Sequence, residues 1–210
     1  MSIATQHLSD ACPRMAGLIR RIGRARWPAD HQSPYESLVR AIAHQQLHAN
    51  AAKTITGRFL TLYPGTEFPA PEQVLATESA TLRACGFSGA KVAAIQDIAA
   101  KAVAGVVPTR RAAARLTDDD LIERLTTIRG VGRWTVEMLL IFSLGRKDVL
   151  PVDDFGVREG YRLIHELDAQ PKPKELATLG AIYAPYRSTA AWYLWRAVDE
   201  AKQKTVDRKP

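Results

Sequence analysis

Cysteine is scarce in this sequence, and long apolar runs are missing. The two cysteines, Cys12 and Cys85, are too few for a metal-ligand set or a disulfide framework. No stretch is apolar over the roughly 20 residues that a membrane-spanning helix needs, and the opening residues MSIATQHLSDACPR contain no hydrophobic signal core. We therefore expect a reduced, cytoplasmic protein without a membrane partner, associated with the nucleoid if its source is bacterial.

Strand patterns and internal repeats are also missing. Apolar residues instead recur at the three- and four-residue spacing of helices. The hydrophobic fraction of 46% is enough for a sizeable core, and 210 residues fit one large domain or two small lobes. The sequence therefore predicts an all-α fold. We expect helices over residues 10–22, 33–44, 90–103, 155–167 and 175–184, two short helices within 69–85, a last helix that begins within 185–188, an irregular segment over 105–116 and a frayed end from 202.

Positive charge outweighs negative charge. The formal net charge is +7 and the isoelectric point is near 9.6, which favours an anionic partner. Nucleic acid fits better than a membrane surface because no amphipathic basic anchor is present. Three arginines in the predicted irregular segment are more typical of a solvated face than of a binding site: Arg110, Arg111 and Arg115.

The most informative stretch is a glycine-punctuated turn between two helical patterns, Ile128-Arg129-Gly130-Val131-Gly132. Its two glycines allow positive φ angles and a close approach of the backbone to another surface. The helix that follows would direct its first N–H groups and its positive dipole end out of the turn. In a basic protein this arrangement predicts a site for a DNA phosphate.

A pair of carboxylates follows that helix. A loop over 146–152 leads to Asp153 and Asp154, which begin another helix. The loop is long enough to carry the chain back and place Asp154 beside the glycine turn. The alternative is that the pair only caps its helix, and at least one of the two is expected to do so.

A second polar stretch, His44-Gln45-Gln46-Leu47-His48-Ala49-Asn50, joins two helices. His44 and His48 are four residues apart, but no third ligand accompanies them, so zinc is disfavoured. The other interpretation from the residues is a polar helix junction in which Leu47 packs between the helices.

Three segments together resemble a known family. The motif IRGVGRWT, followed twenty residues after Trp134 by Asp154, resembles the helix-hairpin-helix DNA glycosylases, and the segments PVDDFGVREG and YRSTAAWYLWRA are similar to the DNA-3-methyladenine glycosylase II branch. The similarity runs from about residue 35 to residue 195. It implies an all-helical, two-lobed glycosylase unit with its active-site cleft between the lobes. The hairpin-bearing lobe would be 35–146, and 1–34 with 147–210 would form the second lobe.

The resemblance implies a base excision repair enzyme that acts as a monomer on damaged double-stranded DNA. Such an enzyme flips an alkylated purine, of the 3-methyladenine or 7-methylguanine type, and hydrolyses its N-glycosidic bond. Asp154 would be the catalytic carboxylate and Asp153 structural. Bifunctional relatives carry a lysine in the motif GVGRKT, where this chain has Trp134 in GVGRWT, and no four-cysteine iron–sulfur loop follows. The implied activity is therefore monofunctional, without a lyase step.

The resemblance also assigns residues to a base pocket and to DNA contacts. Trp134 and Trp195 match the aromatic pocket, and Met138 stands where some relatives have an aromatic residue, which leaves the base preference open. Leu47 would be the wedge that fills the gap left by the flipped base, with Gln46 and His48 beside it. The turn before the 90–103 helix matches a segment near the DNA backbone, or is only a glycine-capped connection. The hairpin residues expected to contact DNA are Gly130, Val131, Gly132, Arg133 and Thr135.

No cofactor is implied beyond a monovalent cation. By resemblance, Na⁺ or K⁺ would be held by the backbone carbonyls of Thr126, Ile128 and Val131. Core packing remains the alternative for any tryptophan, and it is the preferred interpretation for Trp192 and Tyr193. Two functional alternatives also remain: a uracil or mismatched-adenine glycosylase of the same fold, and a non-catalytic module that binds duplex DNA through its hairpin.

Overall fold

Residues that start and stop helices divide the chain into short helical segments. The computed structural model describes residues 2–27 and 32–207, with side chains through residue 205, and the regular elements in these ranges are all helical. They are α1 (Ile3–Ala11), α2 (Pro13–Ile22), α3 (Pro34–His44), α4 (Ala49–Thr61), α5 (Pro71–Ala76), α6 (Ser79–Ala84), α7 (Gly89–Val103), α8 (Arg110–Ala113), α9 (Asp118–Leu125), α10 (Arg133–Met138), a π-helical turn (Leu139–Ser143), α11 (Phe155–His165), α12 (Pro173–Leu179), a 3₁₀ turn (Gly180–Tyr183) and α13 (Arg187–Asp207). The all-α prediction is confirmed.

The chain forms two compact units. Asp30–Leu144 is one of them, called here the middle unit, and Met1–Ala29 with Gly145–Pro210 is the other, called here the end unit. The middle unit contains α3 to α10 and the π-helical turn. The end unit contains α1, α2 and α11 to α13. None of the helices in the described ranges is long and apolar enough to cross a membrane.

The centre of the middle unit is the packing of α3 against α7. Leu38 and Ile42 from α3 and Ile95 and Ile98 from α7 are at most 1% exposed. Burying each such side chain stabilises the folded state by about 1.5–3 kcal/mol. The ends of these two helices are therefore firmly supported, and both candidate DNA-contacting turns of this unit lie against them.

The centre of the end unit is the close crossing of α11 and α13. A Cβ added to Gly160 would lie 2.1 Å from the carbonyl oxygen of Leu194, so only glycine lets the two backbones approach this closely. Tyr193, on α13, is fully buried and donates its hydroxyl to the Gly23 carbonyl at 2.8 Å. This confirms the core interpretation for Tyr193, and Trp192 beside it is half-buried.

Several helix boundaries predicted from sequence are confirmed. The Ser33–Pro34 signal starts α3, where the Ser33 hydroxyl accepts a hydrogen bond from the Glu36 N–H at 3.1 Å. The two short helices expected within 69–85 are α5 and α6, and the helix expected over 90–103 is α7.

Three local predictions are wrong. The helix predicted over residues 10–22 begins only at Pro13, because Cys12 is extended and caps it, and a separate helix, α1, precedes it. The segment predicted to be irregular contains α8, because Pro108 precedes the Thr109 cap, where it breaks nothing. The end predicted to fray from residue 202 continues as helix to Asp207, and residues 208–210 of that prediction lie outside the described residues.

Candidate active site

The glycine turn joins α9 to α10 and lies on α3 and α7. Gly130 has φ +76°, and a Cβ on it would be 3.3 Å from the Ala94 Cβ and 3.4 Å from the Ile42 Cδ1. The Val131 N–H closes the turn by donating to the Ile128 carbonyl at 3.1 Å. Glycine is therefore required at 130 both by its backbone conformation and by the space available.

The helix after the turn begins without a capping side chain. Its N-cap is Gly132, and no side-chain hydrogen bond caps the first turn. The first N–H groups of a helix have no acceptor within the helix and carry a partial positive charge. Arg133 is exposed in this first turn, and it donates to the buried Glu137 at 3.0 Å. The start of α10 is thus able to receive an anion.

The side chains of α10 divide between solvent and core. Trp134 is 45% exposed, which excludes core packing for it. Thr135 is only 4% exposed, so its side chain faces the core. Met138 is half-buried and stands directly before the π-helical turn, in which the Leu144 N–H donates to the Leu139 carbonyl at 2.9 Å. Such turns often occur at functional sites.

The neighbouring helices fix both edges of the hairpin. The Arg129 N–H donates to the Asp97 carboxylate of α7 at 2.7 Å. The Arg110 guanidinium donates a hydrogen bond to the Ser143 carbonyl at the end of the π-helical turn. Arg110 is exposed, as the prediction of a solvated face expects, and its guanidinium also bonds to a carbonyl 33 residues away along the chain.

The loop between α3 and α4 exposes an apolar side chain. Leu47 is 39% exposed, so it does not pack between the helices. Gln46 adopts a left-handed conformation with φ +55°, which is uncommon for a residue with a side chain. His48 is the N-cap of α4, and its side chain makes no capping bond. Gln45 donates its side-chain amide to the Gly130 carbonyl at 3.2 Å, which joins this loop to the hairpin.

In the end unit, Asp154 is the N-cap of α11. Its Oδ1 accepts a hydrogen bond from the Val157 N–H at 2.7 Å and a second from the Trp195 indole Nε1–H at 2.8 Å. The expectation that at least one of the two carboxylates caps the helix is confirmed: Asp154 is the cap, and Asp153 is exposed. Two donors on one oxygen hold the Asp154 carboxylate in a defined orientation.

Two glycines of α11 make the contact between Trp195 and Asp154 possible. A Cβ on Gly156 would lie 2.8 Å from the Trp195 Cδ1 and 3.1 Å from the Asp154 Oδ1. Gly160, one turn further, allows the backbone of α13 to approach. The sequence analysis missed this role of Trp195. The available signal was the pair of glycines four residues apart, which place two gaps on one face of a helix.

The loop before Asp154 is attached to the start of α13. Arg187 makes a bidentate pair with Asp148, at 2.7 Å from Nε to Oδ1 and 2.9 Å from Nη2 to Oδ2. The Ser188 hydroxyl donates to the Arg146 carbonyl at 2.7 Å and accepts from the Val149 N–H at 3.0 Å. The same helix therefore fixes both the path to Asp154 and the indole that holds it.

The structure thus forms two groups among the predicted site residues. The hairpin and the Leu47 loop lie together in the middle unit, and Asp154 and Trp195 lie together in the end unit. In residues 2–27 and 32–207, no cluster of three or more histidine, cysteine, aspartate or glutamate side chains is placed to bind a metal ion.

Comparison with known proteins gives a consistent result. Residues 39–184 match the family model described as HhH-GPD superfamily base excision DNA repair protein. DNA-3-methyladenine glycosylase 1 of Schizosaccharomyces pombe is 44% identical over 192 residues, which are 90% of this chain and 84% of that protein.

Two solved structures extend the match to the fold. The S. pombe 3-methyladenine DNA glycosylase in complex with abasic DNA superposes with a TM-score of 0.84 over 93% of this chain and 96% of that one, at 44% identity. A DNA-3-methyladenine glycosidase from Bacillus halodurans superposes with a TM-score of 0.88 at 32% identity, over 97% of this chain and 92% of the other.

Proposed function

The chain belongs to the HhH-GPD superfamily of base excision DNA repair proteins, and from this premise we propose that it is a DNA glycosylase for alkylated purines. It hydrolyses the N-glycosidic bond of bases of the 3-methyladenine and 7-methylguanine type in double-stranded DNA, and it acts as a monomer. The names of its relatives support the substrate class. The geometry of Asp154 supports the reaction.

The single observation that carries the mechanism is the doubly held carboxylate. Loss of the base develops positive charge on the sugar, and a negative group fixed nearby stabilises the transition state. The Val157 N–H and the Trp195 indole hold one oxygen of Asp154 at 2.7 and 2.8 Å. A carboxylate that is already oriented needs little reorganisation when that charge develops. We assign Asp154 as the catalytic residue, which stabilises the cationic sugar and directs water toward it.

The absence of an amine from the hairpin motif supports a hydrolytic reaction. A lyase step requires a nucleophilic amine that forms a Schiff base with the sugar. Trp134 stands at the position that carries lysine in the bifunctional motif. Water is then the nucleophile, and the products are a free base and an abasic site.

Trp134 is also suited to recognition of the damaged base. Alkylated purines are electron-poor and often cationic, and an aromatic face attracts them by stacking and cation–π contact worth about 0.5–2 kcal/mol. The Trp134 side chain is 45% exposed. We propose that it contacts the flipped base together with Met138, which lies one turn further along the same helix.

DNA binding is assigned to the hairpin and to the Leu47 loop. The uncapped start of α10 receives a phosphate through main-chain N–H groups around Gly132, Arg133 and Thr135. Leu47, exposed on its loop, fills the space left by the flipped base. Gln46 and His48 lie beside it in the same loop.

The hairpin carbonyls are also suited to a monovalent cation. The Ile128 carbonyl accepts one hydrogen bond within the turn, and a carbonyl oxygen has a second lone pair for a ligand. Together with the carbonyls of Thr126 and Val131 it would hold Na⁺ or K⁺, which would add positive charge near the bound phosphate.

Release of free bases tests the proposal. The protein is incubated with methylated, deaminated and mismatched duplexes, and the released bases are separated and identified. We expect 3-methyladenine and 7-methylguanine, with abasic DNA left intact. Release of uracil or mismatched adenine alone would show that the substrate is not an alkylated purine. Binding to DNA without release of any base would show that the protein is a non-catalytic module that binds duplex DNA.

A further inference from the structure

The loop that carries Leu47 is held by a lysine from a different helix. Lys91, in the first turn of α7, donates from Nζ to the Ala43 carbonyl and to the Gln45 carbonyl, at 2.8 Å in each case. These carbonyls lie at the C-terminal end of α3, where the last carbonyl oxygens of a helix have no N–H donors of their own. A lysine placed here satisfies them and opposes the negative end of the helix dipole.

The residues just beyond this cap have a fixed conformation. Gln45 donates its side-chain amide to the Gly130 carbonyl of the hairpin. Gln46 is left-handed at φ +55°, a conformation that persists in a non-glycine residue only where the surroundings impose it. The Leu47 N–H then donates back to the His44 carbonyl at 3.3 Å. The exposed position of Leu47 thus results from contacts that the residues preceding it, Ala43 and Gln45, make with α7 and the hairpin.

We propose that Lys91 is a positioning residue for base flipping: it holds the loop Gln45–His48 in the conformation that presents Leu47 to DNA. The inference rests on the proposed function, because it requires Leu47 to act as a wedge. Through Gln45 the same loop is joined to the hairpin, so the wedge and the phosphate-binding turn form one preorganised surface within the middle unit.

The environment of Lys91 argues against a direct role in binding phosphate. The residue is half-buried, and burial lowers the pKa of its ammonium group. Two of the three N–H donors of the ammonium group face the carbonyls of α3. A phosphate-binding lysine is instead expected to be solvated and free to follow the DNA backbone. Lys91 therefore acts on the loop, and through the loop on the DNA.

The test compares Lys91→Met, which keeps an unbranched side chain one atom shorter and removes the donors, with Lys91→Arg, which keeps donors. Lys101→Met is the matched control, since it removes the same charge from the same helix. Flipping is followed by stopped-flow fluorescence of 2-aminopurine beside a lesion, and excision is measured under single-turnover conditions. Hydrogen exchange of the loop amides is measured in the absence of DNA.

We expect Lys91→Met to slow flipping and excision about tenfold on a well-paired lesion, which corresponds to the loss of hydrogen bonds from a charged donor. Lys91→Arg should recover most of the rate, and Lys101→Met should match the wild type. Exchange at the Leu47 amide should increase in Lys91→Met alone, and the rates are compared per folded molecule because loss of the two hydrogen bonds also lowers the melting temperature. A mismatched lesion, which needs less help to unstack, should be affected less.

A double-mutant cycle separates this proposal from its premise. If Lys91 acts through the wedge, Lys91→Met should add nothing in a Leu47→Ala background. Additive losses, a lower salt dependence of binding to undamaged DNA, or unchanged exchange of the loop would overturn the role of Lys91. Leu47→Ala with a wild-type flipping rate would overturn the wedge assignment instead, and the exchange measurement would still report whether Lys91 holds the loop.

Discussion

Two helices in this protein begin in opposite ways, and the difference distinguishes the proposed phosphate site from the proposed catalytic carboxylate. The N-cap of α10 is Gly132, which has no side chain and leaves the first N–H groups to an external anion. The N-cap of α11 is Asp154, which supplies an anion of its own. Both starts use the same partial positive charge of a helix terminus. The first is suited to a phosphate that arrives with the DNA, and the second keeps a carboxylate permanently in place.

The two starts are also supported differently. The hairpin before α10 is held through its backbone, by the Asp97 carboxylate on the Arg129 N–H and by the Gln45 amide on the Gly130 carbonyl. At α11 the capping side chain is itself held, because the Trp195 indole donates to it. A site that receives a mobile ligand needs a fixed backbone. A catalytic carboxylate needs a fixed side chain.

The largest effect is expected from removing the charge of the cap in α11. Asp154→Asn keeps an oxygen that accepts from Val157 and Trp195, so the fold and the binding of damaged DNA should be preserved. Base release should fall by roughly 10²–10³-fold or more, as for removal of one preorganised electrostatic group. Single-turnover release of methylated bases measures the effect. Asp153→Asn, which changes the exposed neighbour, is the matched control, and equal losses in both variants would remove Asp154 from the catalytic role.

The second-largest effect is expected from placing an aspartate at the N-cap of α10, as α11 has at Asp154. Gly132 lies at φ −92° and ψ 169°, and no atom lies within 4 Å of an added Cβ, so aspartate fits there. Gly132→Asp should stabilise the fold by roughly 0.3 kcal/mol and weaken binding to damaged and undamaged DNA alike by about tenfold, since its carboxylate occupies the N–H groups and repels phosphate.

Fluorescence anisotropy at several salt concentrations measures this loss of affinity. Gly132→Asn is the control, because asparagine also caps the helix but carries no negative charge. Gly130→Val, by contrast, should lose both stability and binding, because a β-branched residue is strained at a φ of +76° and its Cβ would lie only 3.3 Å from the Ala94 Cβ. A loss confined to one damaged base would contradict phosphate binding by the hairpin.

A smaller effect is expected from a substitution that forces the backbones of α11 and α13 apart where they cross. Gly160→Ala places a Cβ against the Leu194 carbonyl, and such overpacking typically costs about 1–3 kcal/mol of unfolding free energy. The indole of Trp195 should then lose contact with Asp154, and excision should slow in the molecules that remain folded. Chemical denaturation gives the first quantity, and the rate per folded molecule gives the second. An excision rate unchanged per folded molecule would show that Asp154 does not need the indole.

The smallest effect is expected at the opposite end of α11. His165 stacks on Tyr161 at 4.1 Å and lies near Cys12 and the Tyr183 hydroxyl. Burial lowers its pKa, and Arg14 lowers it further. The unfolded chain, with an ordinary pKa of about 6.5, therefore takes up the proton first as pH falls.

Stability contributed by neutral His165 should be complete above about pH 6.5 and decrease as pH falls below that value toward the lowered pKa of the folded state. Melting temperatures between neutral and mildly acidic pH measure the slope. His165→Gln should flatten this slope relative to the wild type. A slope unchanged by this substitution would exclude His165 as its source.

Local signals explain which features were predictable from sequence. The Ser33–Pro34 start of α3, the glycine turn and the short helices α5 and α6 each depend on residues within a few positions of one another. Their physical causes lie inside the window that a sequence pattern covers. The all-helical fold follows from the sum of such signals.

The features that the sequence did not reveal are contacts between distant positions. Trp195 and Asp154 are 41 residues apart, and Lys91 is 46 residues from the carbonyl of Gln45. No helical spacing predicts which side chain a helix crossing will bring to a cap. Which residue of the Asp153–Asp154 pair caps α11 was left open, because two adjacent carboxylates satisfy the same pattern and only the backbone geometry distinguishes them.

The hydrogen bond between the indole and the carboxylate also provides a spectroscopic reporter. Trp195 is one of four tryptophans, and its indole proton points at the Asp154 Oδ1 from 2.8 Å. The nuclear magnetic resonance signal of an indole N–H depends strongly on the charge of its acceptor. Asp154→Asn would shift this signal and so identify it among four. The same resonance would then follow the electrostatic state of the Asp154 carboxylate as DNA binds, without any label placed in the site.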